Sequence, residues 1–249
     1  MSGHSKWATI KHKKAVTDAR RGKLFSKILK EITVAARLGG GDSKGNARLR
    51  AAVLDARSNS VPMDNIERAI KKGTGELESE VYEEVIYEGY GPAGVAILVE
   101  AATDNRNRTT AEVRHAFTRN GGNLGEAGCV AWMFHRRGYF AIEKSAMDEE
   151  KFMELALELG ADDVAIEEDV YEIYTPMEEF LNVQEELERR EVPTVARELA
   201  MVPQTTLDVP ADKVNQVLRL MEALEDHDDV QKVWANLNVD EKVLAAQSR

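Results

Sequence analysis

Apolar residues in the first third of the chain recur at helical spacing, and near residue 80 that period gives way to one of strands. Leu24, Phe25, Ile28, Leu29, Ile32 and Ala36 fall three and four apart, which makes one face of a helix. Thr17 or Asp18 can cap its start, and Gly39-Gly40-Gly41 can stop it, because glycine enters positive φ without strain. A second helix is expected over 46–58, with Leu49, Val53 and Ala56 inward. A third should begin at Pro62, bury Met63, Ile66 and Ile70, and end at Gly73. Isolated helices this short are marginal in water, so the three are expected to pack together as one module.

Past residue 80 the pattern predicts strands at Val81–Tyr90 and Gly94–Ala102, joined by a turn at Gly89-Tyr90-Gly91-Pro92. Thr109 and Glu112 resemble a capping box, Val113 and Phe117 lie on one helical face, Gly121–Gly125 reads as a loop, and Val130–His135 reads as a strand. From Gly138 the expected order is strand 139–142, helix 149–159, strands 164–167 and 170–175, helix 177–190 and strand 198–202. That β-α-β-β-α-β order is the ferredoxin-like arrangement. A helix at 211–225 and a strand near 230–238 then need a sheet to join, and the β-β-α-β set at 81–135 lacks such a pair.

The expected fold is therefore α+β and multidomain, with an N-terminal three-helix domain followed by two α/β domains, one inserted in the other. The boundaries are 1–77 for the helical domain, 78–136 plus 204–249 for a discontinuous α/β domain, and 137–203 for an acidic, ferredoxin-like insert.

Charge is distributed as unevenly as periodicity. Residues 1–77 hold 17 Lys+Arg against 7 Asp+Glu, a net of +10, which leaves 16 against 37, a net of −21, for the rest. The overall charge of −11 conceals a basic module suited to a polyanion. Its candidate nucleic-acid-binding residues are Lys6, Trp7, Lys11, His12, Lys13 and Lys14 in a basic arm, with Arg20, Arg21, Lys23, Lys27, Arg48, Arg50, Lys71 and Lys72 on the helices. Lysine and arginine neutralise phosphates, and Trp7 can either stack on an unpaired base or anchor the arm. A second candidate surface holds Arg106, Arg108 and Arg114, where Arg106 and Arg108 either meet phosphate or pin the two α/β domains through ion pairs. Lys30 and Arg68 also belong on the outer faces of the helices.

Catalytic patterns are weak. Gly39-Gly40-Gly41 lacks the preceding strand and the Gly-Lys-Ser/Thr ending of a P-loop. The five histidines are scattered, Cys129 has no partner at zinc-ligand spacing, and His227-Asp228-Asp229 reads as an acidic turn. Ser5 beside His4 makes no triad, and the carboxylates of 148–191 read as a solvated face. A non-enzyme without metal or cofactor is expected. One cysteine, no apolar run long enough for a membrane span and no secretory signal lead to an expectation of a cytoplasmic, non-membrane protein.

Long strings of this sequence resemble the YebC/PmpR family. They include Ser2-Gly3-His4-Ser5-Lys6-Trp7, Ile10-Lys11-His12-Lys13-Lys14, Glu31–Arg37, Asp64–Gly73, Tyr87–Pro92, Thr103–Thr109, Arg114-His115, Asn120–Gly125 and Leu224–Val233. The loop 41–47 departs from the family pattern in having no proline, Cys129 stands where a residue such as Ser is usual, and Trp234 where a smaller aromatic is expected. The resemblance implies a helical N-terminal domain, two α/β domains and work on nucleic acid. Bacterial members are regarded as transcriptional regulators, and the family includes the mitochondrial translational activator of cytochrome oxidase.

The functional expectation is a non-enzymatic nucleic-acid-binding regulator of gene expression. The helices offer good phosphate chemistry but few base readers, since 46–58 presents mainly Arg48, Arg50, Asp55 and Arg57. That leans towards a translation factor on the ribosome or rRNA. The alternative is a DNA-binding transcriptional regulator, and a protein-only scaffold is a third class.

Overall fold

The structure is a computed structural model that describes residues 18–239, with side chains from residue 21 onward. Its described residues divide into two compact units, one made of 18–129 and 212–233 and the other of 130–211 and 234–239.

The first unit begins with three helices, α1 (Asp18–Gly39), α2 (Ala47–Ser58) and α3 (Met63–Thr74). Ile28, Ile32, Ala35 and Ala36 of α1 pack with Leu49, Ala52 and Ala56 of α2 and with Ile66 and Ala69 of α3. The periodicity of α1 thus becomes a buried stripe, and Ile32 and Leu49 are fully enclosed. Gly40 takes φ +84° and its N–H closes on Ala36 O, so the glycine stop expected after residue 38 is a left-handed C-terminal cap. Asn46 caps α2, its side-chain oxygen accepting from Leu49 N.

Two expectations for α3 need correction. Met63 is 45% exposed rather than buried. Gly73 lies inside the helix, and the residue that stops it is Gly75 at φ +84°. Gly73 instead permits a close crossing, because a Cβ there would sit 2.4 Å from Thr33 O and 2.7 Å from Ala36 Cβ of α1.

The same unit continues with β1 (Glu83–Tyr90), β2 (Ala96–Thr103), α4 (Arg106–Arg119) and β3 (Asn123–Leu124). β1 and β2 pair antiparallel, with Glu83 opposite Thr103 and Gly89 opposite Ile97. Thr109 and Glu112 form no capping box. Asn105 caps α4 by accepting from Arg108 N, and Thr109 is buried one turn later. The strand expected over 130–135 begins only at Phe134, as the start of a longer one. Ala131–Met133 is a single 3-10 turn, and the short strand that pairs with β1 is Asn123–Leu124, inside the segment read as a loop.

Seven strands follow among the described residues, together with three helices. These are β4 (Phe134–Glu143), α5 (Glu149–Glu158), β5 (Asp163–Ile166), β6 (Val170–Pro176), α6 (Phe180–Arg189), β7 (Ala196–Pro203), β8 (Leu207–Asp208), α7 (Ala211–Glu225), β9 (Val230–Ala235) and β10 (Leu237–Asn238). β9 takes the edge beside β2, giving a sheet of order β3-β1-β2-β9 from segments that lie on both sides of 134–203 in sequence. α7 buries Val214, Val217, Leu220, Met221 and Leu224.

The second unit carries a sheet of order β5-β6-β4-β7, antiparallel at every pair. With α5 and α6 as its crossovers this is the ferredoxin-like arrangement. Phe152 stacks on Tyr171 at 4.4 Å and Phe140 on Phe180 at 5.1 Å, fastening the two helices to the sheet. Also buried are Tyr139 and Tyr174, whose hydroxyls donate to the fully buried Glu172 at 3.1 and 2.7 Å. Burial, then the Glu172 charge, push the Tyr139 hydroxyl well above the usual tyrosine range.

Candidate nucleic-acid interface

Lysines at positions 23, 27 and 30 share one face of α1, three and four residues apart. That face meets the C-terminal end of α7 and the turn into β9. Lys23 Nζ donates to Asp226 O at 2.9 Å and Lys27 Nζ to Glu225 O at 2.5 Å. The last carbonyls of a helix lack intrahelical partners and carry the negative end of its dipole, so two ammonium groups there stabilise α7. Lys30 goes deeper, donating to Ala102 O at 3.1 Å, Asp228 O at 3.2 Å and Asp229 Oδ1 at 2.9 Å, with its Nζ also 5.0 Å from the Tyr82 ring centre.

Asp229 accepts from more than Lys30. It is buried, and its Oδ2 accepts from Arg108 at 2.7 Å, Thr109 Oγ1 at 2.8 Å and Thr103 Oγ1 at 3.2 Å. Burial alone would raise its pKa. The hydrogen bonds from Arg108, Lys30 and Thr109 outweigh that and hold the carboxyl far below the ordinary aspartate range. Beside it, Asp229 N–H donates to His227 Nδ1 at 3.0 Å, which leaves the ring proton on Nε2 to donate to Glu112 Oε2 at 2.7 Å. Lys23, Arg108, Glu112 and residues 226–229 line an open cleft of about 440 Å³. Lys23 and Arg108 line it together with four carboxylates, so it presents no single sign of charge to a ligand.

Arg48 is similarly committed. Its guanidinium makes paired contacts with Glu31 at 2.7 and 2.9 Å and with Glu84 at 2.6 and 3.0 Å, tying α2 to α1 and to β1. Arg50 is half-buried and reaches Lys44 O at 3.5 Å. Lys23, Lys27, Lys30 and Arg48 were all expected on outward faces, yet each donates to another segment of its own unit. Charge and spacing could not distinguish these uses, because each partner lies far away in sequence.

α3 behaves differently. Arg68, Lys71 and Lys72 are exposed at spacings i, i+3 and i+4, and none has a side-chain partner among the described residues. Arg21 is exposed as well. Lys6, Trp7, Lys11, His12, Lys13, Lys14 and the side chain of Arg20 lie outside the described residues.

On the second candidate surface, Arg106 pairs with Glu83 at 3.0 Å and Arg108 with Asp104 at 2.8 Å as well as with Asp229. Both arginines therefore hold the first unit together internally. Arg114 is exposed. Among the described residues no three His, Cys, Asp or Glu side chains cluster to hold a metal ion, and no helix is long and apolar enough to cross a membrane.

Comparison with known proteins places these features in a family. Residues 5–76 match the model of the TACO1/YebC protein N-terminal domain, and residues 82–237 match that of the TACO1/YebC second and third domain. A protein of Syntrophobacter fumaroxidans named "Probable transcriptional regulatory protein" is 58% identical over 98% of both chains. A relative from Geobacter sulfurreducens, also named a probable transcriptional regulatory protein, is 57% identical over 96% of both. The crystal structure of a conserved hypothetical protein from Aquifex aeolicus is 52% identical and superposes with a TM-score of 0.87, covering 96% of this chain and 99% of that one. With both parts of the family model matched in order and relatives aligned end to end, the chain belongs to the YebC/TACO1 family of probable transcriptional regulatory proteins.

Proposed function

We propose that this protein is a nucleic-acid-binding regulator of gene expression that acts on transcription, engaging DNA mainly through its phosphates. The supporting observation is the exposed Arg68-Lys71-Lys72 face of α3, in a helical module whose Lys23 and Lys27 are spent on internal contacts. Cations without internal partners can release counterions from a polyanion, whereas Lys27 and Arg48 would first have to give up partners of their own. The names of the relatives support transcription over the ribosomal reading that the sequence favoured.

A ribosomal or rRNA site is the second reading. It draws on the thin base-reading set of α2, where Arg48 is held by two carboxylates and Arg50 is half-buried. Crosslinking with sequencing of both DNA and RNA from intact cells, paired with ribosome sedimentation at moderate salt, decides between them. Enrichment on DNA near promoters without rRNA contacts is the expected result. Reproducible crosslinks to one rRNA region and co-sedimentation with ribosomes would overturn it.

A further inference from the structure

We propose that the outer face of α5 and the adjoining edge of β5 form a protein-docking surface for a basic amphipathic helix of a partner protein. Met153, Leu157 and Ile166 meet the apolar stripe of that helix, and the surrounding carboxylates meet its lysines and arginines. The inference gives the acidic unit a partner separate from nucleic acid, and it holds whichever of DNA or rRNA the basic module engages.

α5 is fixed to its sheet by one face. Phe152, Leu155 and Ala156 are buried, and Phe152 stacks on Tyr171. The opposite side of a helix held in this way is ordinarily polar. Here Leu157 is 83% exposed, and Met153, one turn earlier, is 45% exposed. Ile166 extends the patch. It ends β5, the edge strand of the sheet, and lies opposite Tyr171, so it shares the sheet face on which α5 rests. It is 42% exposed. Single exposed apolar residues are ordinary, but three on one helix and the strand edge beside it, rimmed by charge, mark a contact surface.

Charge decides what covers it. Residues 149–158 carry four carboxylates and one lysine, and that Lys151 closes on Asp148 at 2.9 Å. Helical spacing sets Glu149 on one side of the Met153–Leu157 stripe and Glu150 and Glu154 on the other, all three exposed. Asp162 and Asp163, also exposed, carry the negative rim on to β5. Such a rim repels a phosphate backbone and an anionic membrane alike. A second copy fits badly too, because a two-fold contact sets a patch on itself and would press carboxylate against carboxylate. Both features are complemented by a helix with apolar residues three and four apart and basic residues beside them, its ridge packed along that of α5.

The test titrates the full chain with three synthetic peptides: a leucine–lysine helix with its leucines on one face, a scrambled peptide of the same composition, and the same helix with glutamate for lysine. The basic helix should bind, and the other two should bind more weakly by about tenfold or more. Met153→Ser combined with Leu157→Ser should lower affinity for the basic helix about tenfold, with melting and duplex DNA affinity unchanged. Leu157→Ser alone, at the most exposed position, should give the larger share of that loss. Glu150→Lys combined with Glu154→Lys should weaken the basic helix as well, by a factor that shrinks at high salt. In methyl NMR spectra, the Met153 signal should move on addition of the basic helix. Failure of the unmodified protein to bind the basic helix would overturn the proposal. So would equal binding of that helix by the serine variant, or of the scrambled peptide by the unmodified protein, since either reduces the site to charge attraction. A dimer that Leu157→Ser dissociates would assign the face to a second copy. Tighter peptide binding after Lys11, Lys13 and Lys14 are replaced by Ala would assign it to the chain's own basic arm. Each of these two results overturns the partner named, and none of the outcomes touches the nucleic-acid reading, which rests on Arg68, Lys71 and Lys72.

Discussion

Lys30 Nζ lies 2.9 Å from Asp229 Oδ1, joining the middle of α1 to the first turn before β9 across 199 residues of sequence. Both side chains are largely withdrawn from solvent, at 13% and 8% exposure. Withdrawing two charges from water is costly, and the pair is tolerable because the remaining capacity of each is filled. Asp229 also accepts from Arg108, Thr103 and Thr109, and Lys30 donates to two backbone carbonyls. The three-helix module and the β3-β1-β2-β9 sheet meet at this pair.

Losing one partner leaves the other buried without compensation. Asp229→Ala should lower the unfolding free energy by about 3 kcal/mol in urea titrations. Combining it with Lys30→Met should cost less than the sum of the single changes, because the second change removes the charge the first one stranded. Strictly additive losses would show that the two residues do not act as a pair.

The same carboxylate predicts a pH dependence. Its pKa is lowered on folding, so its ionisation stabilises the native state above the unfolded aspartate value of about 4 and that contribution fades as pH falls towards the folded value. The stability gap between the unmodified protein and Asp229→Asn should be constant from about pH 7 to 5 and narrow below about pH 4. Urea midpoints of both proteins across this range provide the check. A gap that widens on acidification would contradict the assigned sign.

Gly73 and Gly40 test two different demands on glycine. Gly73→Ala puts a Cβ against the backbone oxygen of Thr33, and α1 and α3 must separate to admit it, at a cost of about 1–3 kcal/mol. Gly40→Ala meets no neighbour and strains only a left-handed backbone, at about 1 kcal/mol. Thermal melts should therefore rank Gly73→Ala as the less stable variant. The reverse order would show that α1 and α3 yield more easily than their spacing implies.

Lysines that look alike in sequence should separate in their effects. Replacing Lys71 and Lys72 by Ala should reduce the slope of log affinity against log salt by up to about 2 for duplex DNA and barely change stability. Replacing Lys23 and Lys27 by Ala should lower stability, because the end of α7 loses two donors. A loss of DNA affinity in the second variant that matches the first, with melting unchanged, would return Lys23 and Lys27 to the binding surface.

What the sequence determined by itself was set by short-range physics. The stripe Ile28-Ile32-Ala36 marked the inner face of α1, α7 runs over 211–225 as its apolar spacing predicts, and the β-α-β-β-α-β order announced the ferredoxin-like sheet. Each depends on neighbours within a few residues, where periodicity is decisive. Tertiary structure decided what depends on distant partners. Gly73 reads as a helix stop until Thr33 O is found against it, and Asn123–Leu124 reads as a loop until β1 supplies hydrogen bonds. The same holds for charge. Lys23, Lys27, Lys30 and Arg48 have the composition and spacing of a phosphate-binding face, and so do Arg68, Lys71 and Lys72. Only folding brought residues 225–229 and Glu84 against the first group and left the second facing solvent, because a long-range ion pair is written in no local pattern.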